Sequence, residues 1–309
     1  MILLWGLPND GPLRAVYSVL HAHHEPVYLL DQHEFATTML ELYVGSTTYG
    51  TLHLEGLVVA LEAITSVYAR PYDVRRLPQM RDAGPQTAVW QHGEALDDAL
   101  QAWVEVTPAF VVSRPSAMAS NGSKPFQSAL IRAAGLDIPE TLVTTDAKAA
   151  MAFHEMHQTV VYKSTSGIRS IVSRLGPEHL DRLADIGNCP TQFQEYIAGR
   201  DIRVHVVGDS VFGAEILSAA DDYRYAGRTG HSVDIRACEL ERELADRCRK
   251  LAAELCLPVA GIDLRRTPEG RYYCFEVNPS PGFTFYQQAT GQPIAEAIAY
   301  LLADSPSTG

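Results

Sequence analysis

The pattern of apolar residues at the beginning of the sequence predicts a strand, a helix and a second strand. Residues 2–7 form an apolar run, the motif Asp10-Gly11-Pro12 begins a helix with one apolar face, and residues 27–30 form a second apolar run. This order predicts a small unit of parallel strands and helices that continues to about residue 113. The pattern assigns no elements to the middle of this unit.

From residue 114 onward, short helices and strands alternate. The motif Ser123-Lys124-Pro125 begins a helix, because proline is favoured in the first helical turn. The residues predicted on its apolar face are Phe126, Leu130, Ile131 and Ala134. A helix capped by Asp146 lies between strands at residues 138–143 and 159–163, and a polar loop follows at residues 164–170. Residues 114–192 are therefore predicted to form a compact lid.

The last part of the chain, from about residue 191, is rich in strands. Strands at residues 203–207 and 211–217 flank a turn, an amphipathic helix covers residues 239–256, and a closing helix begins at Pro293. The whole chain is predicted to be an α/β (α+β) protein. Its predicted units are an N-terminal α/β domain (1–113), a central lid (114–192) and a C-terminal lobe (193–309).

A hairpin before the closing helix carries a candidate metal site. Its β-rich runs, residues 261–266 and 271–278, flank a Pro-Glu-Gly turn, and an antiparallel register centred there places Asp263 opposite Glu276. Because side chains alternate along a strand, Asn278 lies on the same face as Glu276. The other face is predicted to carry Ile262, Leu264, Phe275 and Val277. Three oxygen donors on one face suit Mg²⁺.

A solvated sheet face is the alternative interpretation of these carboxylates, with Arg265 or Arg271 as their partners. The turn Pro279-Ser280-Pro281-Gly282 favours the metal site. A stiff turn at this point presents backbone N–H groups beside the same carboxylates.

Composition narrows the functional classes. The 309 residues are 46% hydrophobic, which is enough for a sizeable core, and their net charge is −12 at pH 7. The sequence contains neither a basic run nor an apolar run of membrane-spanning length, so we expect no nucleic-acid and no membrane partner. Five cysteines without C-x-x-C spacing favour a reducing compartment and therefore a cytoplasmic protein.

The positions of several lysines and arginines favour contact with an anion. Lys124 begins a helix, where its charge opposes the helix dipole, and Lys163 ends an apolar strand just before the polar loop. Each lysine alone is weak evidence for an anion site, because surface lysines are common. Three arginines either clamp a carboxylate or phosphoryl group or pair with nearby aspartates. They are Arg203, Arg224 and Arg228.

In their joint order and spacing, these segments resemble the ATP-grasp ligases. The resemblance is greatest to the branch of ribosomal-protein glutamate ligases and of ligases that modify ribosomal peptides. It runs from about residue 114 to the end of the chain. The matching segments are residues 121–124, 134–141, 160–163, 194–197, 201–203, 260–263 and 276–282.

The resemblance implies an ATP-grasp fold, with ATP between the lid and the C-terminal lobe, and it implies roles for individual residues. The residues implied to contact the phosphates are Lys124, Lys163, Ser164, Thr165, Ser166 and Gly167. The residues implied to contact adenine and ribose are Gln194, Glu195, Tyr196, Ile197 and Asp201. The residues implied to hold Mg²⁺, or Mn²⁺ as an alternative ion, are Asp263, Glu276 and Asn278. The transferring phosphoryl group would be steadied by Arg203, Arg224 and Arg169.

The loop at residues 164–170 departs from the family pattern. The segment Ile168-Arg169-Ser170 follows Gly167, where more glycine is usual. Arg169 therefore either supplies a charge of its own to the γ-phosphate or changes loop closure and substrate choice.

The implied function is the ATP-dependent joining of a carboxylate to an amine, or less often to a hydroxyl, through an acyl phosphate. The implied substrates are small molecules or peptides, and a homo-oligomer is compatible with the family. Two alternatives stay open. One is an ATP-grasp kinase that phosphorylates a hydroxyl, and the other is a nucleotide-binding module without turnover.

Overall fold

The structure is a computed structural model that describes residues 1–165, 172–218 and 233–304. Short 3-10 helices supplement its longer elements. They cover Gln32–Glu34, Leu61–Ala63, Val74–Arg76, Ala119–Gly122 and Leu183–Asn188.

The N-terminal unit combines a parallel and an antiparallel sheet. Its strands are β1 (Ile2–Gly6), β2 (Val27–Asp31), β3 (Met39–Val44), β4 (Thr48–Leu54), β5 (Leu57–Ala60), β6 (Ser66–Arg70) and β7 (Phe110–Val112). The order β2-β1-β6-β7 is parallel, which confirms the predicted α/β beginning. The antiparallel sheet β3-β4-β5 is inserted in the part that the sequence pattern left unassigned.

The helices that pack on these sheets are α1 (Gly11–Ala22), α2 (Pro78–Ala83) and α3 (Ala88–Val106). A short helix, α4 (Pro115–Met118), follows β7. Asp10 caps α1 as predicted, because its carboxylate accepts a hydrogen bond from the Leu13 N–H at 2.9 Å. Helix α3 buries Leu96, Leu100 and Trp103 in the core of the unit.

The central segment forms an antiparallel sheet with helices around it. Its elements are α5 (Lys124–Ala133), β8 (Thr141–Thr144), α6 (Ala147–His157), β9 (Val160–Ser164), β10 (Ser173–Arg174), α7 (Pro177–Leu180) and β11 (Thr191–Glu195). The sheet order is β10-β9-β11-β8. Strand β11 pairs with β8 and β9, and Phe193 is buried in the lid core. The prediction that the third unit begins with this strand was therefore wrong.

The C-terminal lobe is built on an antiparallel sheet in the order β14-β13-β12-β15-β16. Its elements are β12 (Arg200–Val207), β13 (Ser210–Ser218), β14 (Val233–Cys238), α8 (Arg242–Glu254), β15 (Val259–Arg266), β16 (Tyr272–Asn278), α9 (Thr284–Thr290) and α10 (Ile294–Asp304). Helix α5 also belongs to this lobe by its packing, since Ile131 and Ala134 lie in the same core as α8. The sequence pattern had assigned α5 to the lid.

The N-terminal unit and the C-terminal lobe share one apolar core. Leu4 of β1 packs in the same cluster as Phe283 and as Ile298 of α10. The lid has a separate core around Phe193. Among the described residues, none of the buried residues in the lid core belongs to the apolar cores of the other two units.

None of the described helices has both the length and the apolar composition that crossing a membrane requires. All five cysteines are free thiols, of which Cys248 and Cys274 are buried. Burial raises the pKa of the Cys248 thiol to about 12, so this side chain is an uncharged member of the core.

Half-buried Asp97 on α3 generates a prediction about stability. Burial, followed by the charges of Asp98 and Asp73, raises the pKa of Asp97 from its ordinary 3.8 to about 6. Folding then favours the protonated carboxyl, so the protein loses stability as the pH rises from about 4 to about 6. Asp97→Asn should stabilise the protein by on the order of 1 kcal/mol at about pH 7, after allowance for solvent screening, and should give no gain below about pH 4.

Urea denaturation of Asp97→Asn and of the native protein at these two pH values measures the effect. The exposed neighbour substitution Asp98→Asn is the control, with an expected change of only a few tenths of a kcal/mol, roughly, at either pH. An equal gain at both pH values would contradict the assignment.

Candidate functional site

One face of the C-terminal sheet packs into the core of the lobe, and the opposite face carries charged side chains beside a smaller apolar cluster. Ile202, Val204 and Ile262 pack into the core that α5 and α8 cover. Alternation along the strands directs Arg203 and Asp263 to the opposite side, which we call the site face.

The register of β15 and β16 brings the predicted metal-binding side chains together. Asp263 pairs with Glu276, and Gly261 pairs with Asn278. The predicted placement of Asp263 opposite Glu276 is therefore confirmed.

A β-bulge interrupts this register immediately after Asp263. Leu264 pairs with Cys274, so that Phe275 is the extra residue of β16. Cys274 is buried in the core, whereas the Phe275 ring lies 5.2 Å from Cζ of Arg265. The prediction that Phe275 belongs to the apolar face was wrong, because a bulge shifts the alternation of side chains by one residue.

Each of the two carboxylates is paired with a cation from a different element. Nη1 of Arg203 lies 2.6 Å from Oδ1 of Asp263, across the paired strands β12 and β15. Nζ of Lys124, at the beginning of α5, lies 2.9 Å from Oε1 of Glu276. The site therefore brings two carboxylates and two cationic side chains close together, and their opposite charges offset each other.

The alternative partners that the sequence suggested are engaged elsewhere. Arg271 pairs with Asp137 at 2.8 Å, and Arg265 pairs with Asp201 at 2.7 Å. Neither arginine is the ion-pair partner of the two carboxylates on the site face.

A glycine makes room for the Arg203 guanidinium. A Cβ atom on Gly261 would lie 2.7 Å from Cζ of Arg203 and 2.7 Å from Cβ of Pro281. Real Cβ atoms almost never approach other heavy atoms so closely, so any larger residue would displace the guanidinium. The Arg203 side chain is only 6% exposed, and its neighbours fix its position.

Buried His205 extends the site face beyond Arg203. Its ring packs edge-on against Tyr286 of α9, with centroids 5.0 Å apart, and it is 1% exposed. Burial, and then the charge of Arg203, lower the pKa of His205 well below its ordinary value. The imidazole is neutral, so Arg203 carries the positive charge in this part of the site.

Gln127 of α5 is a site-supporting residue that sequence reasoning missed. Its Nε2 donates to the Val277 carbonyl at 2.8 Å, and its Oε1 accepts from the Val277 N–H at 2.9 Å. Val277 lies between Glu276 and Asn278 on an edge strand, so Gln127 fixes the backbone from which both side chains project.

Phe126 does not have the buried position that the sequence predicted. It is 54% exposed, whereas Gln127 is 1% exposed and shares the buried face of α5 with Ile131. Gln127 precedes Ile131 by four residues, a spacing that puts both on the same face of a helix. This spacing could have revealed Gln127, but the buried face was predicted from apolar residues alone.

The segment that joins the lid to the C-terminal lobe is held by arginines. The Tyr196 ring lies 4.4 Å from Cζ of Arg174, in the lid, and 5.8 Å from Cζ of Arg265, in the lobe. Arg265 also donates to the Ile197 carbonyl at 2.9 Å and binds both carboxylate oxygens of Asp201, at 2.7 and 3.0 Å. Asp201, predicted to meet ribose, thus also fixes Arg265.

The lid side chains predicted to contact nucleotide lie along β9 and β11. Half-buried Lys163 is paired in register with Gln192, on the face opposite the lid core. Gln194 donates from Nε2 to Oγ1 of Thr141 at 2.9 Å, and the Glu195 carboxylate accepts from the Glu140 N–H at 2.9 Å. Both side chains therefore form hydrogen bonds with the neighbouring strand of the lid or with the residue just before it.

The loop that begins after β9 is described only in part. Ser164, the last residue of β9, and Thr165, which follows it, are exposed, and the Thr165 hydroxyl donates to the Pro190 carbonyl at 3.4 Å. Several residues of the predicted set lie outside the described residues. They are Ser166, Gly167, Arg169 and Arg224, together with Arg228.

The donor set on the site face is compatible with a magnesium ion. Within residues 1–165, 172–218 and 233–304, no group of three or more His, Cys, Asp or Glu side chains could hold a metal. Two carboxylates and the amide oxygen of Asn278 are instead the partial set that Mg²⁺ accepts when phosphates and water supply the remainder. Asn278 Oδ1 accepts one hydrogen bond, from the Ser280 N–H at 3.0 Å, and retains a second lone pair.

Curated proteins that the chain resembles are ligases and a synthase. Beta-citrylglutamate synthase B of Danio rerio is 26% identical over 293 residues, which cover 90% of this chain and 67% of that protein. Ribosomal protein bS6–L-glutamate ligase of Escherichia fergusonii is 43% identical over 108 residues, which cover 33% of this chain and 34% of that protein. The chain thus spans about a third of the length of this second relative.

Solved structures resemble the whole chain. The macrocyclase MdnC of Microcystis aeruginosa MRC, bound with its precursor peptide MdnA, has a TM-score of 0.83 at 22% identity and covers 98% of this chain and 99% of its own. A RiPP-associated ATP-grasp ligase of Chryseobacterium gregarium, in complex with ADP and a leader and core peptide, has a TM-score of 0.85 at 22% identity, with coverages of 100% and 98%. The ATP-grasp ligase PsnB, with a variant of its minimal precursor, Mg and ADP, has a TM-score of 0.78 at 26% identity, with coverages of 98% and 97%.

These similarities confirm the ATP-grasp fold that the sequence predicted. The sequence profile of the RimK-like ATP-grasp domain matches residues 122–302, which include every residue of the predicted site. Because this match covers more than half of the sequence, the chain belongs to the RimK-like ATP-grasp family.

Proposed function

We propose that this protein is an ATP-dependent ligase that joins a carboxylate to an amine, or less often to a hydroxyl. A carboxylate oxygen of the substrate attacks the γ-phosphorus of ATP, ADP leaves, and an acyl phosphate results. The amine then attacks the acyl carbon, loses a proton, and displaces phosphate. The chain needs no nucleophile of its own for this reaction, so its contribution is positioning and electrostatic stabilisation.

One observation carries the proposal. Asp263 and Glu276 are register partners on the site face, and each is paired with a cation, Arg203 and Lys124, from a separate element. A purely structural ion pair would need only one cation and one carboxylate. Two such pairs, side by side on the site face, supply both signs of charge that a nucleotide triphosphate and its metal require.

The proposed roles follow from these positions. Asp263, Glu276 and Asn278 would hold Mg²⁺, which when bound neutralises negative charge on the phosphate oxygens. Lys124 and Lys163 approach the phosphates from the lobe and from the lid. Arg203 lies deeper on the site face, where we assign it to the transferring phosphoryl group or the acyl phosphate.

Adenine is proposed to lie at the segment that joins lid and lobe. Backbone groups of Glu195 and Ile197 would bind its edge, while Tyr196 and Arg265 keep this segment in place. Asp201 is proposed to reach the ribose as well as Arg265. The loop residues Ser164 and Thr165 begin the segment that would close over the phosphates.

A peptide is the substrate class that we favour. MdnC, PsnB and the Chryseobacterium gregarium ligase, whose whole chains superpose on this one, are described with precursor, leader or core peptides. A free amino acid is the second candidate, because the Escherichia fergusonii glutamate ligase has the higher sequence identity over the part that aligns. The cytoplasm stays the proposed compartment, since all five cysteines are free thiols.

A phosphate-release screen tests the proposed reaction. Paired carboxylates and amines, free and within peptides, are supplied with Mg-ATP, and hydroxylamine is added to trap an activated acyl group as a hydroxamate. Glu276→Gln should lower turnover by about 10²–10³-fold, since it removes a preorganised charge beside the phosphates.

Glu269→Gln is the matched control for this substitution. Glu269 is exposed in the turn of the same hairpin and should leave turnover unchanged. Phosphate transfer to a hydroxyl without any hydroxamate would instead indicate the kinase. Nucleotide binding without turnover on any pair would indicate the non-catalytic module.

Lys163→Ala should weaken the binding of a non-hydrolysable ATP analogue by about tenfold, because one charge-assisted phosphate contact is lost. Isothermal titration calorimetry measures the affinity. Lys148→Ala, which removes an exposed lysine from α6 of the same lid, should bind as the native protein does. Unchanged affinity in Lys163→Ala would remove Lys163 from the site.

Gly261→Ala should lower turnover by about 100-fold or more while the protein stays folded, because the new methyl group displaces the Arg203 guanidinium. Steady-state kinetics and far-UV circular dichroism provide the two measurements. Gly187→Ala is the control, since a Cβ atom there meets nothing within 4 Å. Full activity in Gly261→Ala would show that the position of Arg203 is unimportant.

A further inference from the structure

An arginine of the N-terminal unit reaches the turn that follows the proposed metal ligand Asn278. Arg70 is the last residue of β6, and its side chain is only 10% exposed. Its Nε lies 2.8 Å from Oδ1 of Asp10, and its Nη2 lies 3.3 Å from Oδ2 of the same residue. Asp10 is itself fixed as the cap of α1, so Arg70 is held in one orientation.

The remaining end of the guanidinium binds the C-terminal lobe. Nη1 of Arg70 donates to Oγ of Ser280 at 2.8 Å and to the Pro281 carbonyl at 3.2 Å. The Ser280 N–H donates in turn to Oδ1 of Asn278 at 3.0 Å. A short chain of hydrogen bonds therefore joins the cap of α1 to the amide oxygen that faces the proposed metal site.

The shape of the side chain matters in this arrangement. A guanidinium presents donors in a planar fork, so one arginine can bind the Asp10 carboxylate on one side and the turn on the other. A lysine would retain the charge and lose this fixed geometry. The turn has no equivalent cation from its own lobe in the hydrogen bonds that the structure describes.

We propose that Arg70 is a positioning residue of the nucleotide site, which sets the orientation of Asn278 through Ser280 and the turn after it. The proposal rests on the proposed function. Residues 1–121 lie outside the part of the chain that matches the family profile. Under this proposal they contribute, through Arg70, to Mg²⁺-dependent nucleotide binding. In this proposal Arg70 acts through Asn278 and not by a contact of its own with the metal or the nucleotide.

The test measures the binding of a non-hydrolysable ATP analogue by calorimetry, with Mg²⁺ and in its absence. Arg70→Met should weaken binding by about tenfold with Mg²⁺ and by less than about twofold without it, because the loss is confined to the metal ligand. Arg70→Lys should give an intermediate loss. An equal loss under both conditions, or no loss, would overturn the proposal.

Arg114→Met is the matched control for damage to the fold. Arg114 is a half-buried arginine just after β7, and its guanidinium donates to the carbonyls of Val104, Glu105, Thr107 and Ala109. Its removal should lower the melting temperature and leave both nucleotide affinities near their native values. Thermal melting of every variant separates loss of folding from loss of the site.

Ser280→Ala keeps the test decisive if Arg70→Met does not fold. This smaller change removes one acceptor of Arg70 and should produce the same Mg²⁺-specific loss to a lesser degree. In the double variant with Arg70→Lys, the losses should be less than additive, because both substitutions break the same chain of hydrogen bonds. Additive losses would refute the coupling. Failure of the native protein to bind nucleotide at all would refute the proposed function instead.

Discussion

Charge balance across two neighbouring strand pairs is the constraint on which the rest of the site depends. Asp263 lies between Arg203, across one strand pair, and Glu276, across the other. Two carboxylates this close repel each other unless cations or a metal offset their charge. Arg203 and Lys124 provide that offset, and they come from elements that meet only when β12, β15, β16 and α5 are packed together.

The carboxylate pair was predictable from the sequence, whereas its supports were not. The residue types and the two β-rich runs indicated the pair, but the register next to the turn, in which Leu264 pairs with Cys274, would by itself place Asp263 opposite Phe275. The bulge supplies the extra residue that brings Glu276 opposite Asp263. The bulge that exchanges Cys274 for Phe275 leaves no comparable signal, because both residues suit a strand. Gln127 was missed for a related reason, since the need for its amide arises from the open edge of β16, which belongs to another part of the chain.

The boundaries between units also depend on contacts between distant parts of the chain, which the local sequence pattern does not show. Helix α5 and strand β11 follow local patterns that are correct, yet each packs with a unit other than the one assigned to it. In the N-terminal unit, the inserted sheet exposes Met39, Tyr43 and Val58, so its alternation of apolar and polar residues is blurred. Helix α3 was readable from Leu96, Leu100 and Trp103, whose spacing is helical. No element was predicted between residues 31 and 113, so this spacing was not used.

The distribution of cores explains how such a site can both hold and admit its ligands. The N-terminal unit and the C-terminal lobe share apolar packing and the buried hydrogen bond from the Ser66 hydroxyl to the Leu302 carbonyl, at 2.6 Å. The lid has its own core and meets the lobe through polar and cation–π contacts at Tyr196. Contacts of this kind break and reform at lower free-energy cost than a shared apolar core. The proposed metal ligands therefore belong to the firmly packed body, whereas Lys163, proposed to contact the phosphates, belongs to the lid.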